Sequence, residues 1–289
     1  MIITDDFVFI HLPKTGGTFV KRVLIQIHEA RGDLIATYNA TDADHVSLLR
    51  AYRSRNPVHR LRGLVSGSST LIHYRNYFPE MDRFNQHGTC AQIPAAQRDK
   101  PILATARNPY DRYVSRYEFG WWKDYPEQFW VDLDAVRERF PAYPEITFAE
   151  FLELMMAPEY RINPLHEGPT GVLGRMTLEH IRYFFKQDRS VILPRLDEAY
   201  LTSGLYKADM YDVHFLRTDC LNQALHDFLL GAGYAPREVA FVLEIGKITP
   251  NRGGRRADQK WPGYYTPELK QLVRQMEWPL FTLFPEFDV

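Results

Sequence analysis

Lys14 lies between Pro13 and a Thr-Gly-Gly-Thr run in "FVFIHLPKTGGTFVKRVL", Phe7 to Leu24. An apolar run stops at a proline, a lysine and two glycines, and a helix-like pattern follows. Gly16 and Gly17 let backbone amides come close to an anion, because no Cβ stands in the way. Thr18 opens the helix, where free N–H groups and the positive dipole end point outward. Pro13, Lys14, Thr15, Gly16, Gly17 and Thr18 are therefore the candidate anion cradle, with Lys14 adding a full charge. The cradle is short and suits one phosphate group better than a chain of three. The loop that holds nucleoside triphosphates is longer and puts its lysine after the last glycine. A plain glycine turn with a surface lysine is the simpler alternative.

A second group of residues lies in "ATARNPYDRYVSRYEF", Ala104 to Phe119. Arg107 follows an apolar strand-like run. In the next helix Arg112, Ser115, Arg116 and Phe119 recur at helical spacing on one face. Arg107 with Ser115 makes a fork plus a hydroxyl, suited to a second phosphate. The competing reading for Arg112 and Arg116 is that they pair with Glu118 or Asp111 on a solvated face. "FGWWKDYPEQFW", Phe119 to Trp130, holds three tryptophans. They are read as core, with stacking on a sugar or an aromatic acceptor as the alternative.

The elements that position these residues follow from periodicity and punctuation. Phe7 to Leu12 reads as a buried strand and Thr18 to about Ala30 as a helix. Asp42 to about Ser54 reads as a helix, and Leu61 to Val65 as a strand. The stretch "SGSSTLIHYRNYFPEMDRFNQHGTC" that follows is loop-rich and resists assignment. Pro101 to Ala106 is a second buried strand. Asn108 caps and Pro109 starts a helix reaching about Trp122. Pro126 to Phe185 is mostly helical in period, broken by "RINPLHEGPTGVLGR". Tyr211 to Leu216 reads as a strand, Asp219 to Leu230 as a helix, and Pro267 to about Met276 as the last helix. Strands alternate with helices, which predicts an α/β fold around a mainly parallel sheet. In such sheets ligands gather beyond the carboxyl ends of strands, so both groups of residues point to one rim.

Composition sets bounds. The chain has 289 residues and net charge −1, which argues against broad nucleic-acid or membrane-surface binding. Two cysteines, Cys90 and Cys220, make neither a disulfide framework nor a zinc site. No uncharged run reaches the roughly 18 residues of a membrane span, and nothing before Pro13 reads as a signal segment. The expectation is a soluble, cytoplasmic protein with no transmembrane segment and no nucleic-acid partner.

"HLPKTGGT" resembles the 5′-phosphosulfate-binding loop of sulfotransferases that use 3′-phosphoadenosine 5′-phosphosulfate (PAPS). "RNPYDRYVSRYEF" resembles their 3′-phosphate-binding segment, with the family's spacing from Arg107 to Ser115. The closest likeness is to carbohydrate sulfotransferases, including the uronyl and heparan 2-O group, and their bacterial relatives. "DVHFLRTDCLNQALHDFL" resembles the family's late strand and helix. "ITPNRGGRR", with Asn251 and Arg252, resembles its closing nucleotide loop, and "YYTPELKQLV" its last helix. The resemblance implies a three-layer sandwich of the nucleotide-kinase type. It implies one sulfotransferase domain over 1–289, with a mostly helical insertion around 123–205.

The implied reaction moves a sulfuryl group from PAPS to a hydroxyl acceptor, such as a saccharide or a small metabolite, by in-line displacement with no metal. Lys14 would stabilise the leaving oxygen. The acceptor proton needs a base. His11 is read as structural. His87, twenty residues before Arg107, matches the place of a histidine in the 2-O group, although Gln86 replaces the preceding glycine. His45 is next in order and His73 behind it. A hydrogen-bonded loop histidine is the alternative for each. Two rivals remain: a nucleotide-dependent kinase of the P-loop class, and a nucleotide-binding module without catalysis. "PILATA" carries no acidic magnesium ligand, which weighs against the kinase.

Overall fold

A computed structural model describes residues 1–40, 70–78, 83–157, 160, 167–168, 171–246, 255–256 and 259–289. In chain order the elements are β1 (Ile2–Ile3), β2 (Val8–Ile10), α1 (Gly17–Arg31), β3 (Leu34–Ala40), β4 (Thr70–Phe78), β5 (Arg83–Asn85) and β6 (Ile102–Ala106). Then come α2 (Pro109–Phe119), α3 (Leu133–Arg139), α4 (Phe148–Met155), β7 (Glu167–Gly168), β8 (Gly171–Val172) and α5 (Arg175–Phe184). The last are β9 (Val213–Arg217), α6 (Leu221–Gly231), α7 (Pro267–Met276) and α8 (Trp278–Leu283). The chain forms two compact units, Met1–Arg107 with Asp212–Pro250 and Asn108–Tyr211 with Asn251–Val289.

The first unit is built on a seven-stranded sheet in the order β3-β4-β1-β2-β6-β9, with β5 paired to β4. β2 pairs parallel with β6, β6 with β9, and β3 with β4. β1 runs antiparallel to both β2 and β4, and β5 antiparallel to β4. So β2, β3, β4, β6 and β9 share one direction, and the expected mainly parallel α/β sheet is what the chain forms. Helix α1 presents Val20, Val23, Leu24 and Ile27 inward, the i, i+3, i+4, i+7 stripe of an amphipathic helix. They pack with Phe7, Phe9, Leu71 and Leu103 of the sheet side and with Leu225 and Leu229 of α6. Each such side chain contributes about 1.5–3 kcal/mol on burial. α1 ends at Gly32, whose φ of 77° lets its N–H reach back to the carbonyls of His28 and Glu29.

The second unit is held by buried charge as well as apolar packing. Glu179 of α5 accepts hydrogen bonds from Arg112 and Arg116 of α2, and all three side chains are largely out of solvent. Glu277, fully buried between α7 and α8, accepts from Tyr113 Oη at 2.6 Å, Thr177 N at 2.8 Å and Met176 N at 3.0 Å. It thereby caps the N-terminus of α5 from a distant part of the chain. Burial raises its pKa, against the pull of those donors.

Several expectations meet this structure at the residue level. Asn108 Oδ1 accepts from Tyr110 N at 2.9 Å with Pro109 at the first helical position, as read from the sequence. The helix stops at Phe119, short of Trp122, because Gly120 takes a φ of 66° and a new turn begins. The unassigned stretch after Ser66 contains β4 and β5. Arg112 and Arg116 pair with Glu179, not with Glu118 or Asp111: Glu118 accepts from Gln259 and Tyr264, and Asp111 pairs with Arg255. They brace two helices and do not form an open positive shelf. Trp122 and Trp130 are core residues, while Trp121 is half-buried beside Phe119 and Tyr125. The helix expected at Asp42–Ser54 and the strand at Leu61–Val65 lie outside the described residues. Among the described residues no helix is long and apolar enough to cross a membrane.

Candidate functional site

The carboxyl ends of β2 and β6 lie side by side, with Ile10 level with Ala104. After β2 the chain runs through α1 to β3, toward one edge of the sheet. After β6 it next re-enters the sheet as β9, toward the other edge. The chain therefore diverges between β2 and β6, and a crevice at such a switch point is where open α/β sheets take ligands. Both sequence motifs start here: Lys14 follows β2 and Arg107 follows β6.

The loop after β2 is held from below. Thr15 is buried, and its Oγ1 donates to Leu12 O at 2.8 Å and lies 2.8 Å from Thr105 Oγ1 on β6. Its hydroxyl is thus turned inward, and its backbone amide is what it can offer an anion. Arg107 Nη1 donates to Lys14 O at 3.1 Å and ties the two motifs together directly. Lys14 has φ 63°, and among the described residues it is the only non-glycine with positive φ. Holding a lysine in that region costs on the order of 1–2 kcal/mol.

Gly16 caps α1 with φ 87° and no side-chain cap bond, and the first turn holds no acidic residue. The helix start thus keeps its positive character for an outside anion. A Cβ on Gly17 would stand 2.0 Å from His11 Cδ2, so the imidazole lies against the loop backbone and only glycine fits. Thr18 is exposed at the helix start. Burial, and then the neighbouring His87, hold the pKa of His11 well below the usual histidine value, so it is a neutral packing residue.

His87 enters from the segment after β5. Its Nδ1 lies 2.7 Å from the carbonyl oxygen of His11, and the ring centroids are 4.7 Å apart. A carbonyl only accepts, so Nδ1 carries the proton. The lone pair of the neutral ring then sits on Nε2, which is the form a general base requires. Asn85 Oδ1 accepts from His87 N at 2.7 Å and fixes the turn. His87 is thus brought to the loop that carries Lys14, from a stretch whose structure periodicity did not reveal.

Ser115 is half-buried on α2 in the second unit. His73 lies on β4, its pKa pushed down to about 4 by burial and then by Lys21. His45, Asn251 and Arg252 lie outside the described residues. Gln86, read only as a departure from the family's glycine, accepts from Lys21 Nζ at 3.1 Å. No sequence signal marked Lys21 as part of the site. Among the described residues no cluster of side chains is suited to hold a metal ion.

No protein-family model matches the chain, and no curated protein is similar to it. Among solved structures it is similar to mouse sulfotransferase SULT7A1 complexed with PAP. That match is 14% identical, covers 94% of this chain and 83% of the other, and has a TM-score of 0.44. The site, and not this likeness, carries the functional reading.

Proposed function

We propose that the chain is a sulfotransferase that transfers the sulfuryl group of PAPS to a hydroxyl acceptor, a saccharide or a small metabolite. The observation that carries this reading is the join between the two motifs. Lys14 and Arg107 leave adjacent parallel strands at the point of divergence and are hydrogen-bonded to one another. One short glycine cradle and one arginine suit a ligand with two separated anionic groups. A nucleoside triphosphate would ask for a longer loop and an acidic magnesium ligand.

In the proposed step the acceptor oxygen attacks sulfur while the bond from sulfur to the bridging oxygen of the 5′-phosphate breaks. The acceptor proton passes to Nε2 of His87. The electron pair of the broken bond stays on the leaving phosphate of 3′-phosphoadenosine 5′-phosphate (PAP). Lys14 and the amides of Gly16, Gly17 and Thr18 stabilise that developing charge. Arg107 is assigned to the 3′-phosphate, Ser115, Asn251 and Arg252 are the further candidates for nucleotide binding that the resemblance implies, and His45 is the second candidate for the base. On this reading, residues 1–289 work as one sulfotransferase domain.

A thermal-shift comparison tests the donor. In EDTA, PAP should stabilise the protein more than ADP or ATP. A hundredfold excess over the dissociation constant adds about 2.7 kcal/mol. A larger shift with magnesium-ATP than with PAP overturns the reading in favour of a kinase.

A further inference from the structure

The face of the sheet beneath α1 changes character along β4. Alternation puts Leu71, His73 and Arg75 on one side of that strand. Leu71 belongs to the apolar core under α1, and His73 pairs across β1 at the level of Phe9 on β2. Two residues further along β4, Arg75 is level with Asn39 of β3. The apolar layer thus gives way to titratable side chains toward the end of the sheet where the candidate site lies.

Lys21, on the second turn of α1, joins them. Its Nζ donates to Gln86 Oε1 at 3.1 Å, and Arg75 Nη2 donates to Phe84 O at 2.7 Å. Both cations are half-buried, and both rest on neutral oxygens. Among the described residues neither meets a carboxylate. Burial, and then the charge of Arg75, lower the pKa of Lys21, so the two cations feel each other. His73 Nε2 is buried beside them with no hydrogen-bond partner among the described residues.

Half-buried cations without a counter-charge are costly. The chain carries 36 acidic residues against 35 basic ones, so carboxylates were not in short supply. Gln86, which holds Lys21, precedes His87 directly.

We propose that Lys21 and Arg75 form an anion subsite for the acceptor. The molecule that receives the sulfuryl group then carries a carboxylate, sulfate ester or phosphate ester close to its reacting hydroxyl. This rests on the sulfotransferase reading and narrows its acceptor class. Charge-assisted bonds from the two side chains seat the anion, and the hydroxyl is thereby presented to the neighbouring His87.

The test uses the full chain and inorganic sulfate as the probe, at constant ionic strength set with sodium chloride. With saturating PAP, sulfate should still raise the melting temperature saturably. Lys21→Gln combined with Arg75→Gln should weaken that effect about tenfold or more, while Lys21→Arg retains it and Lys14→Ala leaves it intact. PAP affinity should be unchanged in the double variant. Acceptor pairs that differ only by a carboxylate or a sulfate ester should then split in KM, the gap closing in the double variant, and comparing the pairs identifies which anion is preferred. A sulfate effect that is absent in the wild type, or equal in the double variant, overturns the subsite while leaving PAP binding intact. Failure of PAP to bind overturns the sulfotransferase reading instead, and the sulfate comparison on the free protein still judges the subsite.

Discussion

Lys14 combines a left-handed backbone with the charge proposed to meet the leaving oxygen. Strain and charge can be separated by substitution. Lys14→Gly removes both and should be more stable than Lys14→Ala by about 1 kcal/mol, since only glycine accepts that φ without penalty. Both variants should lose sulfuryl transfer by far more than they lose PAP affinity, because the charge matters most as the bond breaks. Denaturant midpoints, PAP calorimetry and single-turnover rates check the three parts. Normal turnover by either variant would refute the role of the loop. His87→Ala, measured alongside, should keep PAP affinity and lose about a hundredfold or more in rate.

At the scale of elements, the start of α1 depends on the contact between His11 and Gly17. Gly17→Ala drives a methyl into the imidazole and should destabilise the protein by about 1–3 kcal/mol. His11→Ala opens the space, so the double variant should be better than the sum of the two singles. Strict additivity in chemical denaturation would show that the ring does not press on the loop. This cradle was legible in the sequence because proline, glycine and asparagine act on their own neighbours: the turn at Pro13–Gly17, the cap at Asn108 and the limits of α7 all follow from local rules. What was not legible depends on partners far along the chain. Arg112 and Arg116 find Glu179 across a helix pair, and the stripe of α2 cannot announce it. Lys21 meets Gln86 across the end of the sheet, at a residue whose own strand neighbours gave no clear period. β1 was missed because two residues are too few to show alternation.

For the whole molecule, acid should act through histidines kept neutral inside the fold. The pKa of His73 lies at about 4 and that of His180 at about 3, each lowered first by burial. The unfolded chain binds these protons near the ordinary value of about 6.5. Between that value and the folded ones the unfolded state holds more protons, so stability rises with pH through this window. The contribution is fully present above about pH 6.5 and is lost as pH falls toward 4. Urea unfolding from pH 7 down to pH 4.5 should show the loss, and His73→Gln should make it shallower. An unchanged slope in the variant would remove His73 from this account.

The order of the two units along the chain has a consequence for synthesis. Each unit is made from two separated stretches. β6 gains its second parallel neighbour, after β2, only when Val213–Arg217 has been made. The amides of Met176 and Thr177 and the hydroxyl of Tyr113 wait longer, for Glu277. A nascent chain therefore leaves the ribosome with both units open for most of its translation. A product released before residue 277 would lack the carboxylate those three donors meet, which makes it a natural target for chaperones and proteases.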